Sequence, residues 1–358
     1  MSAGVKDISP FQDPVLTSAD LPATTRVLGK CADRGWHGSV ALSVVRAGRL
    51  LVDTAWGDTA PGVPADGSTA FAWTCAGKLL TAAAIGTLHD AGALRLDDPI
   101  RTHVPAFRPD SGRHHRIADL LRHRVPFDGD PGTVASGLPD WRDALPTVTA
   151  DSAHDGRSSY TIWSANLVLA AVIEAASGRR YEDYVTAAVL DPLDSDAVLA
   201  VRPGLGAPLY RRSRSGTTRH PLDDERATGR IWPGVSVRGR TRDLVGLLSV
   251  FQPGARPVLS SGTSAAMIRR DGADDVEADG LNWGLGVAVD RRLATRDFSD
   301  RTFGHHGLGG SAIACGDPDS GLLLAVAFDT TLDGLSGAVR RDSVVQALHT
   351  DLTEAGVA

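Results

Sequence analysis

The chain has 358 residues, 42% hydrophobic and 22% charged, the balance of a globular protein with material for a substantial core. A formal net charge of −6 argues against a nucleic-acid partner, because phosphate binding needs a basic surface. Three cysteines are too few and too odd in number for a disulfide framework, and no run reaches membrane-spanning length. Together with an N-terminus that lacks the apolar core of a signal peptide, this predicts a cytoplasmic protein with reduced thiols and no membrane partner.

In chain order, residues 1 to about 18 read as irregular and Ala19 to Arg34 as a helix. Ser39 to Arg46 and Leu50 to Gly57 read as two strands joined by a tight glycine turn. An almost wholly apolar helix follows from about Thr74 to His89, left through Leu94-Arg-Leu-Asp-Asp-Pro99. Ile117 to His123, Asp140 to Ala144, Trp163 to Ser177 (stopped by Gly178) and Tyr181 to Leu190 predict further helices. Residues 203 to 230 read as a Pro-, Gly- and Arg-rich connector, and Thr241 to Phe251 as a helix. Leu281 to Val289, Ser311 to Cys315 and Leu322 to Phe328 predict strands, and Val339 to Thr353 a closing helix. Strands at both ends with helices between predict a sheet built from the two termini, residues 1–102 and 231–358, around a mainly helical insertion of residues 103–230.

The chemistry concentrates in Phe71 to Leu88. A helix apolar on nearly every side belongs inside a protein. With Thr74 as N-cap, Cys75 falls in the first turn and Lys78 one turn later on the same face. Unpaired N–H groups and a nearby ammonium both favour a thiolate there. A buried cysteine is ordinarily a small hydrophobe, but Lys78 argues otherwise. It is one of three lysines against 34 arginines, and lysine, unlike arginine, can give up its proton when desolvated. No Cys-x-x-Cys, His-Glu-x-x-His or phosphate-binding glycine loop is present, and His114-His115 reads as solvent-exposed, so neither metal nor cofactor is expected.

The ordered motifs resemble the serine β-lactamase and DD-peptidase superfamily, in its branch of class C-like esterases and acyltransferases. Phe-x-x-x-Cys75-x-x-Lys78 followed by Leu-x-Leu-Asp-Asp-Pro99 is similar to that family's Ser-x-x-Lys helix. Ile117-Ala-Asp-Leu-Leu-Arg-His123 resembles its Ile-x-x-Leu-Leu-x-His segment, and Tyr181-Glu-Asp-Tyr-Val to Asp191-Pro-Leu its helix before a Pro-Leu turn. Thr241-Arg-Asp-Leu244 resembles its Thr-x-x-Asp-Leu helix, and Phe303-Gly-His-His-Gly-Leu-Gly-Gly310 its Lys/His-Thr/Ser-Gly strand. The resemblance covers about residues 25 to 355. It implies an α+β fold of the β-lactamase/transpeptidase type, an antiparallel sheet flanked by helices. It implies Cys75 as nucleophile, Lys78 as its base, His305 in the cation position of the strand motif, and an oxyanion hole from the N–H groups of Cys75 and Leu308. Tyr160 is the candidate general acid/base, and His306, Gly307, Asn166 and Trp163 are candidate substrate-binding residues.

Three departures bear on function. Sulfur stands where the family has oxygen. Ile162 stands where the Tyr-x-Asn motif has asparagine, which leaves Asn166 as the candidate amide. His306 replaces the hydroxyl residue that contacts the carboxylate of β-lactams and D-Ala-D-Ala peptides. A thiolate is a strong nucleophile, and its thioester product prefers amines to water. The expected function is therefore an amide-forming transacylase that moves an acyl group from a small ester or thioester donor to an amine, in secondary-metabolite (antibiotic) biosynthesis as in some relatives with this fold. An esterase or amidase would share every residue, and a non-catalytic binding homologue is the third reading.

Overall fold

The computed structural model describes residues 13–107, 115–125, 127, 140–148, 160–252, 258–270, 281–295 and 297–357. His114 and the first twelve residues lie outside them. The framework is a seven-stranded antiparallel sheet ordered β3-β2-β1-β11-β10-β9-β8. Its members are β1 (Ser39–Arg46), β2 (Arg49–Ala60), β3 (Val63–Pro64), β8 (Ala288–Val289), β9 (Phe303–His306), β10 (Ala312–Asp317) and β11 (Leu322–Phe328). The β1–β2 turn is Ala47-Gly48, both with left-handed φ (49° and 79°), the two-residue geometry that matches strand twist.

The sheet is covered on both faces, so its central strands are buried up to Arg46 at the end of β1. Val40, Leu42 and Val44 of β1 and Leu324, Val326 and Phe328 of β11 pack with Leu21, Leu28, Val344, Val345 and Leu348, from or beside α1 (Pro22–Asp33) and α9 (Gly334–Glu354). The opposite face carries smaller side chains. Ala312, Ala314 and Ala325 share a core with α2 (Lys78–Asp90) and α7 (Thr241–Ser249). Small residues let those helices lie close to the sheet. Leu79 to Ile85 of α2 are all buried, as the apolar pattern predicts.

The remaining α-helices among the described residues are α3 (Ile100–His103), α4 (Ile117–Leu121), α5 (Ser164–Ser177), α6 (Tyr181–Val185) and α8 (Ser261–Met267). Gly178 stops α5 in the left-handed region, φ 67°. Three expectations change. The predicted strand Leu281–Val289 forms only at Ala288–Val289. Its middle is a packing loop, in which Gly286 (φ 75°) lies so close to α2 that a β-carbon would come within 2.6 Å of Ala82 Cβ. The expected connector contains a hairpin, β5 (Tyr210–Ser213) and β6 (Gly216–Arg219), whose first strand pairs in parallel with β12 (Thr330–Thr331). Exposed at every position after Tyr210, that hairpin shows no alternating apolar signal to read. The closing helix begins at Gly334, capped by the Asp333 carboxylate, which accepts the Ser336 N–H.

Candidate active site

The chain enters the site through β4 (Phe71–Ala72), paired antiparallel with β7 (Arg238–Gly239). Trp73 continues the attachment: its N–H donates to the Val237 carbonyl and its indole Nε1–H to the Gly239 carbonyl. A tight 3-10 turn, Thr74–Gly77, follows and runs directly into α2. Thr74 is not the N-cap that the sequence suggests. It sits at φ 47°, a strained conformation for a β-branched residue, and its hydroxyl bonds across to the β9–β10 connection.

Cys75 and Lys78 are both buried, at 4% and 3% exposure. Lys78 Nζ has no hydrogen-bond partner among the described residues and lies over the Tyr160 ring, 5.3 Å from its centroid. Asn166, in the first turn of α5, is equally buried, and its Oδ1 also lacks a partner. Gly234 brings the two together. A β-carbon there would stand 2.8 Å from both Asn166 Oδ1 and Lys78 Cγ, and its φ of 72° suits glycine. Lys78, Asn166, His123, Leu121 and Gly286 also line a cavity of about 10 Å³, room for one water at most.

Four rings close the cluster. Tyr160 and Trp283 stack with centroids 5.6 Å apart, and His123 lies 4.8 Å from the first and 4.4 Å from the second. His305 stands 5.3 Å from Trp283 and 5.9 Å from Tyr160. Burial, and then the charge of Lys78, push His123 down to about 3 and His305 well below the ordinary histidine value. His305 is thus neutral, not the cation its motif position implies. Its Nδ1–H donates to the His306 carbonyl at 2.8 Å, so Nε2 is left as a buried acceptor.

The other predicted residues are placed differently. His306, next along β9, is turned to other partners: Nε2–H donates to the Leu293 carbonyl, and Nδ1 accepts from Arg341. Both ring nitrogens are committed, and burial with the Arg341 charge holds the ring neutral, its value pushed down to about 3. A cavity of about 910 Å³ lined by Arg291, Arg292, Thr295 and Arg341 lies on that side, with none of the predicted site residues in its wall. Trp163 packs edge-on against Trp232. The Gly307 N–H donates to the Ala312 carbonyl. Leu308 N–H, the expected second oxyanion donor, bonds to Thr74 Oγ1 at 2.8 Å. Tyr181 hydrogen-bonds Thr81 within α2 at 2.8 Å and serves packing, distinct from Tyr160.

Sequence reasoning gave Thr74 only a capping role and missed Trp283 and the place of His123 in the ring cluster. The motif match flagged His123 but gave it no task, and Trp283 lay in a segment read as regular strand.

A sheet covered by helices, with a buried cysteine and lysine three residues apart where a central helix begins, defines the class of β-lactamase-like proteins. Residues 24–349 match the Beta-lactamase family, and the chain belongs to it. Among curated proteins it is similar to the esterase/β-lactamase LipL of Mycobacterium tuberculosis, 25% identical over 83% of this chain and 78% of the relative. Solved structures with the same fold include EstCE1, described as a hydrolase with promiscuous acyltransferase activity. It has a TM-score of 0.77 and 20% identity, covering 92% of this chain and all of that one. A variant of simvastatin synthase (LovD) from Aspergillus terreus has a TM-score of 0.73 and 16% identity, covering 96% of this chain and all of that one. No helix among the described residues is long and apolar enough to cross a membrane.

Proposed function

We propose that the protein is an acyltransferase that works through an acyl-Cys75 thioester and forms an amide. The observation that carries this reading is Lys78, three residues after Cys75 and as deeply buried, whose nitrogen has no hydrogen-bond partner among the described residues. A lysine that is desolvated and unpaired suits a base better than a structural cation.

Lys78 takes the thiol proton, and the sulfur attacks the carbonyl carbon of an ester or thioester donor. The new C–S bond forms as the bond to the leaving alcohol or thiol breaks, and Tyr160 relays the proton from Lys78 to that leaving group. An amine then attacks the thioester: C–N forms, C–S breaks, and the amine's proton returns to the sulfur by the same path. Neutral His305 offers Nε2 as an acceptor, and Asn166 offers an amide beside Lys78. Substrates with a carboxylate matching β-lactams are disfavoured, since His306 is committed elsewhere. Assembly of a secondary metabolite would use such a transfer.

Hydrolysis is the second reading, favoured by the similarity to the esterase LipL. Intact-mass measurement with an activated ester should give one acyl adduct, absent in Cys75→Ala. Added amine should then divert the product from acid to amide. An unmodified protein that still turns over ester would overturn the covalent scheme, and adduct released as acid whatever the amine would assign the enzyme to the hydrolases.

A further inference from the structure

Thr74 is the residue whose conformation the chain's own preferences oppose most at the site. It is fully buried, β-branched and held at φ 47° immediately before the nucleophile. Residues persist in such a region only where their surroundings over-determine them. Here the surroundings are two hydrogen bonds to the β9–β10 connection. Thr74 Oγ1 accepts the Leu308 N–H at 2.8 Å and shares a hydrogen bond with Ser311 Oγ at 3.0 Å. The contact is tight, since a β-carbon on Gly307 would stand 2.5 Å from Thr74 Oγ1.

Resting on the acyl-Cys75 reading, we propose that Thr74 is a latch on the oxyanion hole. Its hydroxyl occupies the Leu308 N–H in the resting enzyme and must release it as a tetrahedral oxygen forms between the Leu308 and Cys75 amides. An N–H already engaged with a neutral acceptor gives a developing oxyanion less than a free donor does. The exchange is also favourable in direction, because a charged oxygen is the stronger acceptor. Thr74 would therefore set how strongly a donor's carbonyl must polarise before the sulfur attacks, which favours activated esters and thioesters over unactivated amides. It is a positioning residue, acting through Leu308 without touching the reacting atoms.

The test compares two reactions of the same sulfur. Acylation by p-nitrophenyl acetate needs the hole, and alkylation by iodoacetamide does not. Wild type, Thr74→Ser and Thr74→Ala would be followed by intact mass for both, with thermal unfolding alongside. The latch predicts that Thr74→Ala raises the acylation-to-alkylation ratio by about fivefold to tenfold, the worth of one neutral hydrogen bond. Thr74→Ser, which keeps the hydroxyl, should stay at the wild-type ratio. An unchanged or lowered ratio in folded Thr74→Ala would overturn the latch and leave the nucleophile reading intact. If Thr74→Ala does not fold, Thr74→Val, which keeps the branched shape and loses the hydroxyl, takes its place: a raised ratio upholds the latch, and an unchanged or lowered one overturns it. Alkylation without acylation at Cys75 in wild type would sink the acyl-enzyme reading itself.

Discussion

Lys78 Nζ lies over the face of the Tyr160 ring, 5.3 Å from its centroid, and no hydrogen-bond acceptor among the described residues meets it. Burying a side-chain nitrogen with no hydrogen-bond partner costs stability, and one ring face does little to offset it. The lysine is held there by the packing of α2, at the expense of stability.

Lys78→Met should therefore separate the two quantities. Removing an unpartnered buried polar group recovers a desolvation cost on the order of 1–3 kcal/mol, so thermal unfolding should move up or stay level. Loss of the base should slow acylation of Cys75 by about 10²–10⁴-fold. A melting temperature several degrees lower would show that the ammonium is structural.

Asn166→Asp places a carboxylate in the wall of the cavity that Lys78 also lines. An ion pair would keep the proton on Lys78, so acylation should drop well below that of wild type while the protein remains folded. Asn166→Ala, which adds no charge, should cost less, and rates of the two variants in one ester assay compare them directly. Equal losses would mean that the amide itself, not the freedom of Lys78, matters.

Gly234→Ala tests how the pair is set. The new methyl would stand 2.8 Å from both Asn166 Oδ1 and Lys78 Cγ, on a backbone at φ 72°. Strain of about 1–3 kcal/mol is expected. Displacement of Lys78 should cut acylation more than alkylation by iodoacetamide, read from intact mass, because alkylation tolerates a misplaced base better than carbonyl attack does.

Acid should destabilise the fold. Burial lowers His37 and His220 to about 4 and His123 and His306 to about 3. A histidine whose folded value lies below its unfolded value near 6.5 binds fewer protons when folded. Stability is therefore complete above pH 6.5 and is lost as pH falls toward 4. Each such ring contributes a slope approaching about 1.4 kcal/mol per pH unit in that window. Denaturant midpoints at pH 7, 6 and 5 should fall progressively. His220→Phe, far from the candidate site, should flatten the slope by up to one ring's share, and an unchanged slope would contradict its burial as a neutral ring.

Much of this was legible in the chain because it depends on local order. The unbroken apolar run of α2 requires an interior helix, and the three-residue spacing of Cys75 and Lys78 puts both where that helix begins, Cys75 in the tight turn that leads into it. Short apolar, β-branched runs in Ser39–Arg46 and Leu322–Phe328 dictate strands buried on both faces, and Gly178 dictates the end of α5. The site residues that local order could not place depend on the paths of distant segments. His306 was expected at substrate because of its motif neighbours, yet strand alternation sends its ring to Leu293 and Arg341 while His305 joins the cluster.

Sequence alone determined which groups exist, how far apart they stand along the helix, and that the helix is interior. Only tertiary structure decided their states. Desolvation by surrounding rings makes His305 an acceptor, and the α2–α5 contact puts Lys78 and Asn166 in the wall of one small cavity. The meeting of segments 234 residues apart puts the Thr74 hydroxyl on the Leu308 amide. Proton affinity and hydrogen-bond occupancy are set by what is packed within a few ångströms, and sequence separation carries no record of that distance.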